Sequence, residues 1–347
     1  MPFSPSAGAV YAAAFVIAIA VSALGTPLIV RLALRLGIVD NGGEERRMHA
    51  LPKPRIGGIA VFFGFAFALF TVLGVSLAPP FALVPAAEQF DAVHKLVGLL
   101  FGGLLILGVG IWDDVMQMRP RNKLIAQIVV ALISMLYGFV IPGINNPFDR
   151  NAGTNWIDFP LWLGVPLTLL WYVGMMNAIN FLDGLDGLLA GVAAISSVFL
   201  FVISALHGSP VVALVVIALA GAALGFLPYN FNPARIILGD AGSLFIGYVF
   251  ATVSIIGASK TAIAISVVVP LLVLALPVLD TAAAIVRRAT TGKRITEADR
   301  GHFHHQLIFR FGLNVRQAVL LLYAVCFVLG AVALAFSGQF THVFRHA

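Results

Sequence analysis

The stretch Asn177-Ala-Ile-Asn180-Phe-Leu-Asp183-Gly184-Leu-Asp186-Gly187 is the part of the sequence densest in reactive side chains. Asn177 and Asn180 are one helical turn apart and would share a face. The Asp-Gly-Leu-Asp-Gly run then offers two carboxylates on backbone that glycine leaves free to turn. Hard oxygen donors in that arrangement suit Mg2+ or a diphosphate–metal complex. A purely structural turn is the competing explanation. The likeness to an EF-hand is superficial, because the closing glutamate of that loop is missing.

Four other segments carry chemistry. Trp112-Asp113-Asp114 ends an apolar run and is followed by Arg119, Arg121 and Lys123. Adjacent carboxylates repel, and a cation or a shared proton relieves them; two solvated carboxylates at a helix end would look the same. Asn230-Phe-Asn232-Pro-Ala-Arg235 leads into Gly239-Asp240-Ala-Gly242-Ser243. Asp240 there either caps a new helix or presents a carboxylate to a metal. Arg46-Arg47-Met-His49 precedes Pro-Lys53-Pro-Arg55-Ile-Gly57-Gly58, whose glycines permit close backbone approach. Asp299-Arg300-Gly301-His302-Phe303-His304-His305 follows a basic stretch. The histidine spacing does not fit the zinc helix with its paired histidines, and the cations around it favour phosphate.

These segments need something to hold them, and composition says what. Of 347 residues, 60% are hydrophobic and 10% charged, against roughly 25% charged in a soluble domain. Mean hydropathy is +1.01. Lipid must therefore solvate most of the surface. A net charge of +6 fits the cytoplasmic bias of Lys and Arg better than nucleic acid, which is not expected as a partner. The one cysteine, Cys326, has no disulfide partner in the chain.

A spanning helix needs about 20 apolar residues. Ten runs qualify, near 10–34, 56–78, 94–112, 123–141, 160–177, 188–206, 210–229, 242–258, 262–286 and 315–337. The expectation is an all-α polytopic membrane protein, one integral-membrane domain over 1–347. With ten spans, 17 of the 21 Lys and Arg fall in loops on one side. That side is assigned to the cytoplasm, and both termini to the periplasm or exterior. All five motifs lie on the cytoplasmic face. Asp280 sits inside the ninth run just after Pro277 and is read as structural support. A multispanning transporter would instead gather polar groups near mid-membrane.

In order and content, the five motifs resemble the polyprenyl-phosphate N-acetylhexosamine-1-phosphate transferases, from about Asp40 to Gln306. That resemblance implies transfer of a sugar-1-phosphate from a UDP-N-acetylhexosamine to polyprenyl phosphate in the bilayer, releasing UMP. It implies Mg2+ as cofactor, with Mn2+ as a substitute, and the bacterial cytoplasmic membrane as location. His302-Phe303-His304-His305 is similar to the WecA/TagO branch, whose usual donor is UDP-GlcNAc; the muramoyl-pentapeptide branch is the alternative. Carried over residue by residue, Asp113 would contact the lipid phosphate with support from Asp114. Asn180 and Asp240 would hold the metal. Asp183 and Asp186 would flank the nucleotide-sugar, with Asn177 on the same face and Asn230 near the uracil. His302, His304 and His305 would bind diphosphate or sugar. Lys123 and Arg55 would neutralise phosphate. Ile237 stands where some relatives carry an aromatic, so no uracil stacking is expected there. Oligomeric state, a homodimer included, is left open.

Overall fold

The computed structural model describes residues 5–40, 53–79, 81–145, 156–258, 307–308 and 311–344. Nine long helices account for most of them: α1 (Pro5–Leu36), α2 (Gly58–Ser76), α3 (Gln89–Met116), α4 (Pro120–Leu136), α5 (Leu161–Leu182), α6 (Leu188–Leu206), α7 (Pro210–Asn230), α8 (Gly239–Ala258) and α9 (Val315–Phe344). Each coincides with an expected apolar run. The ninth run, Asp280 and the His302-to-His305 segment lie outside the described residues. Among the described residues, eight helices are long and apolar enough to cross a membrane. The exception is α4, at 17 residues and with Arg121 and Lys123 in its first turn. The protein is thus a helical, multi-pass membrane protein. The architecture departs from all-α in two small antiparallel ribbons. One joins β1 (Val39–Asp40) to β2 (Lys53–Pro54), the other β3 (Gly143–Asn145) to β4 (Trp156–Asp158).

The helices pack through small residues. In lipid there is little hydrophobic drive between helices, so close backbone contact does the work. α1 lies along α7, where Gly221 sits against the Phe15 carbonyl with no room for a Cβ. α8 is the central post, contacted by α2, α3 and α5 and almost wholly buried. At its first turn three backbones converge. A Cβ on Gly58 of α2 would overlap Gly242, and one on Gly110 of α3 would overlap Ala241. Gly58 and Gly242, from the Pro-Arg-Ile-Gly-Gly and Gly-Asp-Ala-Gly-Ser motifs, and Gly110 of α3 are thus consumed in bringing α2 and α3 onto the start of α8.

Main-chain hydrogen bonds complete that junction. Gly57 and Gly58 donate to the Ile237 and Leu238 carbonyls at 3.0 and 2.8 Å, and Ile237 donates to the Pro54 carbonyl at 2.8 Å. The loop before α2 is laced to the loop before α8, although about 180 residues of sequence separate them.

Candidate active site

The site is organised by the N-terminus of α8. Gly239 has φ +75°, and its missing side chain leaves room for the Arg55 carbonyl and the Asp114 carboxylate. No other residue could turn there without strain. Asp114, at the end of α3, accepts the amides of Asp240 and Ala241 at 2.9 and 3.0 Å. One oxygen goes to each, so orphan N–H groups in the first turn of α8 are satisfied by a different helix. The Arg55 Nε lies 3.7 Å from the same carboxylate, whose side chain is fully buried.

With its backbone held, Asp240 projects toward α4 and α5. Lys123 Nζ is 2.7 Å from Asp240 Oδ2, 2.9 Å from Asp113 Oδ2 and 3.4 Å from Asn180 Oδ1. Asn180 Nδ2 donates to Asp240 Oδ1 at 2.6 Å and to Ser243 Oγ at 2.7 Å. The second oxygen of Asp113 accepts the Met118 amide at 2.7 Å. That bond closes the turn between α3 and α4, in which Gln117 is left-handed at φ 52°. α4 then starts with Pro120 in its first turn, where a missing N–H costs nothing, and Lys123 follows. Helix ends from α3, α4, α5 and α8 thus converge on one ammonium.

The Asp-Gly-Leu-Asp-Gly loop lies alongside. Asp186 Oδ2 accepts Lys53 Nζ at 2.8 Å, the Asn232 amide side chain at 3.2 Å and the Ala234 amide at 3.0 Å. Asn230 is buried and uses both ends of its amide. Its oxygen accepts the Gly187 N–H at 3.1 Å, and its nitrogen donates to the Ile236 carbonyl at 3.0 Å. Asp183 caps α5 at the edge of this cluster. Burial, then the negative charges of Asp240, Asp114 and Asp186, hold its carboxyl well above the ordinary carboxylate range, with Arg55 opposing.

One layer deeper, Asn177 Nδ2 donates to Gln127 Oε1 at 2.8 Å. Gln127 follows Lys123 by one turn of α4, and Asn177 precedes Asn180 by one turn of α5. This pair ties the two helices together directly beneath the Lys123–Asn180 contact.

Known proteins add what geometry alone does not name. Residues 96–258 match Glycosyl transferase family 4. A probable undecaprenyl-phosphate N-acetylglucosaminyl 1-phosphate transferase of Bacillus subtilis (strain 168) is 34% identical over 322 residues, 92% of this chain and 83% of the relative. The chain belongs to this transferase family. A decaprenyl-phosphate N-acetylglucosaminephosphotransferase of Mycobacterium tuberculosis (strain CDC 1551 / Oshkosh) is 34% identical, covering 84% of this chain and 74% of the relative. A phospho-N-acetylmuramoyl-pentapeptide-transferase of Limosilactobacillus reuteri (strain DSM 20016) is 32% identical, covering 73% and 75%.

In this transferase the sequence-derived residues divide by their surroundings. Asp113, Lys123, Asn180 and Asp240 meet at one point. Asp114, Asn230 and Asp186 bind backbone amides, so they build the site's frame; Arg55 braces Asp114. Asn177 lies below, and Asp183 stands beside the cluster. Gln127 and Tyr323 carry no site signal in the sequence, and Arg316 counts there only among the basic loop residues. The Tyr323 hydroxyl of α9 donates to the Gly187 carbonyl, and Arg316 Nε donates to the Asn232 carbonyl at 2.9 Å. Only the four-residue spacing from Lys123 could have marked Gln127; nothing in sequence pairs α9 with a loop so far away.

Among the described residues no three His, Cys, Asp or Glu side chains gather as a metal site, but two carboxylates and an amide oxygen are donors of the type a hard divalent cation takes. Three oxygens from Asp113, Asp240 and Asn180 already collect around one positive charge on Lys123. Around them, five carboxyl groups, of Asp113, Asp114, Asp183, Asp186 and Asp240, stand against Lys53, Arg55 and Lys123 among the described residues, an excess of two negative charges when all are ionised. One doubly charged ion with oxygen ligands would balance that excess.

Proposed function

We propose that the protein transfers N-acetylglucosamine-1-phosphate from UDP-GlcNAc to undecaprenyl or another polyprenyl phosphate, releasing UMP and leaving polyprenyl-diphosphate-GlcNAc. The observation that carries this reading is Lys123, held between Asp113 and Asp240 where four helix ends meet. Phosphoryl transfer between two anionic substrates asks mainly for positioning and charge neutralisation. A cation flanked by carboxylates at the end of spanning helices supplies both, at a level that a lipid and a soluble nucleotide can each reach. We place this face in the cytoplasm on the distribution of Lys and Arg, with ten spans and both termini outside.

Asp240, Asn180 and Asp113 would hold Mg2+. When bound, it would offset the charge of the diphosphate and of the leaving UMP. Lys123 then neutralises the acceptor phosphate, and Asp113 orients it. A phosphate monoester has its second pKa near 6, so the acceptor is mostly dianionic at neutral pH and needs little help losing a proton. Asp113 takes any remaining proton. Asp114 keeps Asp240 in place through the backbone of α8. Asp183 faces the nucleotide-sugar, and the frame built by Asp186 and Asn230 shapes the pocket beside it. His302, His304 and His305 would meet the diphosphate or sugar from outside the described residues.

The lipid phosphate is expected to attack the β-phosphate directly. Asp113 is already engaged by Lys123 and the Met118 amide, which weakens it as a nucleophile. Enzyme freed of lipid should therefore not exchange labelled UMP into UDP-GlcNAc. Robust exchange without lipid, checked by mass spectrometry, would require a covalent intermediate instead. The donor is tested by UMP release from purified protein given UDP-GlcNAc, UDP-GalNAc or UDP-MurNAc-pentapeptide with undecaprenyl phosphate. UDP-GlcNAc should give the highest kcat/KM. Preference for the pentapeptide donor would move the protein to peptidoglycan synthesis.

A further inference from the structure

On the flank of α3 and α4, beside the site but lined by none of Asp113, Lys123, Asn180 or Asp240, is an open cavity of about 500 Å3. Trp112, Met116 and Ile125 form its apolar part and are 62%, 70% and 59% exposed. Arg119 and Asn122 border it, and Arg121, also exposed, lies between them in sequence. No carboxylate lines it among the described residues. The nearest in sequence, Asp113, is turned to Lys123 and the Met118 amide.

We propose that this cavity binds an anionic phospholipid, with its phosphate at Arg119 and Asn122 and its acyl chains along Trp112, Met116 and Ile125. Two features select that occupant. The guanidinium and the amide have no carboxylate to share the cavity with, so an anion is complementary. Trp112 and Met116 belong to the spanning helix α3, where a tryptophan at the helix end marks the level of lipid headgroups. A free phosphate or a nucleotide would leave these apolar side chains uncovered. The polyprenyl acceptor is the less favoured lipid, because its phosphate has to reach Lys123 and Asp113, and neither lines this cavity. The bound lipid would brace the α3–α4 turn, the short segment from Gln117 to Arg119 that sets the distance between Asp113 and Lys123.

The effect on turnover rests on the proposed transfer reaction; the binding itself does not. The full chain is reconstituted in phosphatidylcholine nanodiscs and titrated with brominated phosphatidylglycerol or brominated phosphatidylcholine. The Trp112 contribution to quenching is isolated by comparison with Trp112→Phe. Phosphatidylglycerol should quench Trp112 selectively. A basic residue at an anionic surface is worth about a fivefold change in affinity, so Arg119→Gln should lose selectivity on that order while Arg119→Lys keeps it. UMP release should rise with phosphatidylglycerol in the parent protein and in Arg119→Lys. Arg119→Gln should keep its rate in pure phosphatidylcholine and lose the rise. Equal quenching by both lipids, or selectivity surviving in Arg119→Gln, overturns the proposal. So does displacement of the brominated lipid by equimolar polyprenyl phosphate, which would give the cavity to the acceptor. Selective quenching without any UMP release would leave the lipid site standing and sink the transferase reading.

Discussion

Asp114 and Asp183 are both carboxylates at the edge of the same cluster, yet their surroundings give them opposite roles. Asp114 spends each oxygen on a different amide of α8. Asparagine would keep one acceptor and turn an NH2 toward the other N–H. Leaving such a buried donor unmet costs about 1–3 kcal/mol. Asp183 lies among other negative charges, and folding raises its pKa. A carboxyl with a raised folded pKa costs stability once ionised. That cost begins as pH climbs past the unfolded value of about 4 and is complete above the raised folded value. Asp183→Asn should therefore unfold at a higher temperature than the parent at pH 7 without Mg2+, with the gap closing as pH falls toward about 4. Asp114→Asn should unfold at a lower temperature. Both should lose most turnover. Thermal melts in detergent across pH check the pair. A pH-independent gap for Asp183→Asn, or an unchanged midpoint for Asp114→Asn, would contradict these assignments.

Among the elements, α4 and α5 matter most, because Lys123 and Asn180 reach the cluster only if the two helices keep their axial register. The Gln127–Asn177 bond one turn below fixes that register, with Gln127 wholly buried. Removing Asn177 leaves the buried Gln127 amide without its partner, at a cost of about 1–3 kcal/mol, whereas removing Gln127 leaves the half-buried Asn177 its bond to the Val173 carbonyl. Gln127→Leu and Asn177→Leu should each lower kcat several-fold, and the double variant should be little worse than either, since coupled neighbours are not additive. A structural role alone would move stability and leave the Mg2+ requirement untouched. The expectation here is a raised Mg2+ concentration for half-maximal rate, because Asn180 is displaced. Additive losses with unchanged Mg2+ dependence would remove Gln127 as a positioning residue.

At the scale of the molecule, sidedness is the consequence most open to test. Cys326 is buried and gives little background to thiol reagents. Arg47→Cys and Arg300→Cys should each be labelled by a membrane-impermeant maleimide only in inverted vesicles. Labelling of either in intact cells would reverse the orientation drawn from the basic loops. The same whole-molecule view explains why α8 tolerates so little. α2, α3 and α5 all lean on it, and Gly58, Gly110 and Gly242 have no room for a side chain at that crossing.

The sequence alone determined the solvent, the position of nine helices and the family. Charged residues too few to cover a soluble surface leave only lipid, and a run of about 20 apolar residues can satisfy its backbone there only as a helix. The reactive residue types were legible too, since Asp, Asn and Lys are conspicuous against so apolar a background. Which of them share a point in space was not. Asp113 and Asp114 are neighbours in the chain, and sequence reads them as one pair, Asp113 contacting the lipid phosphate and Asp114 supporting it. Folding turns one toward Lys123 and the other onto the amides of α8, because successive residues at a helix end point about 100° apart. Asn230 reads as a ligand contact, and folding engages both ends of its amide, with the Gly187 N–H and the Ile236 carbonyl. Those partners lie up to 43 positions away, and for Asp114 more than 120. Helical periodicity reports only on residues within a few turns, so pairings over such separations are decided by how the helices pack.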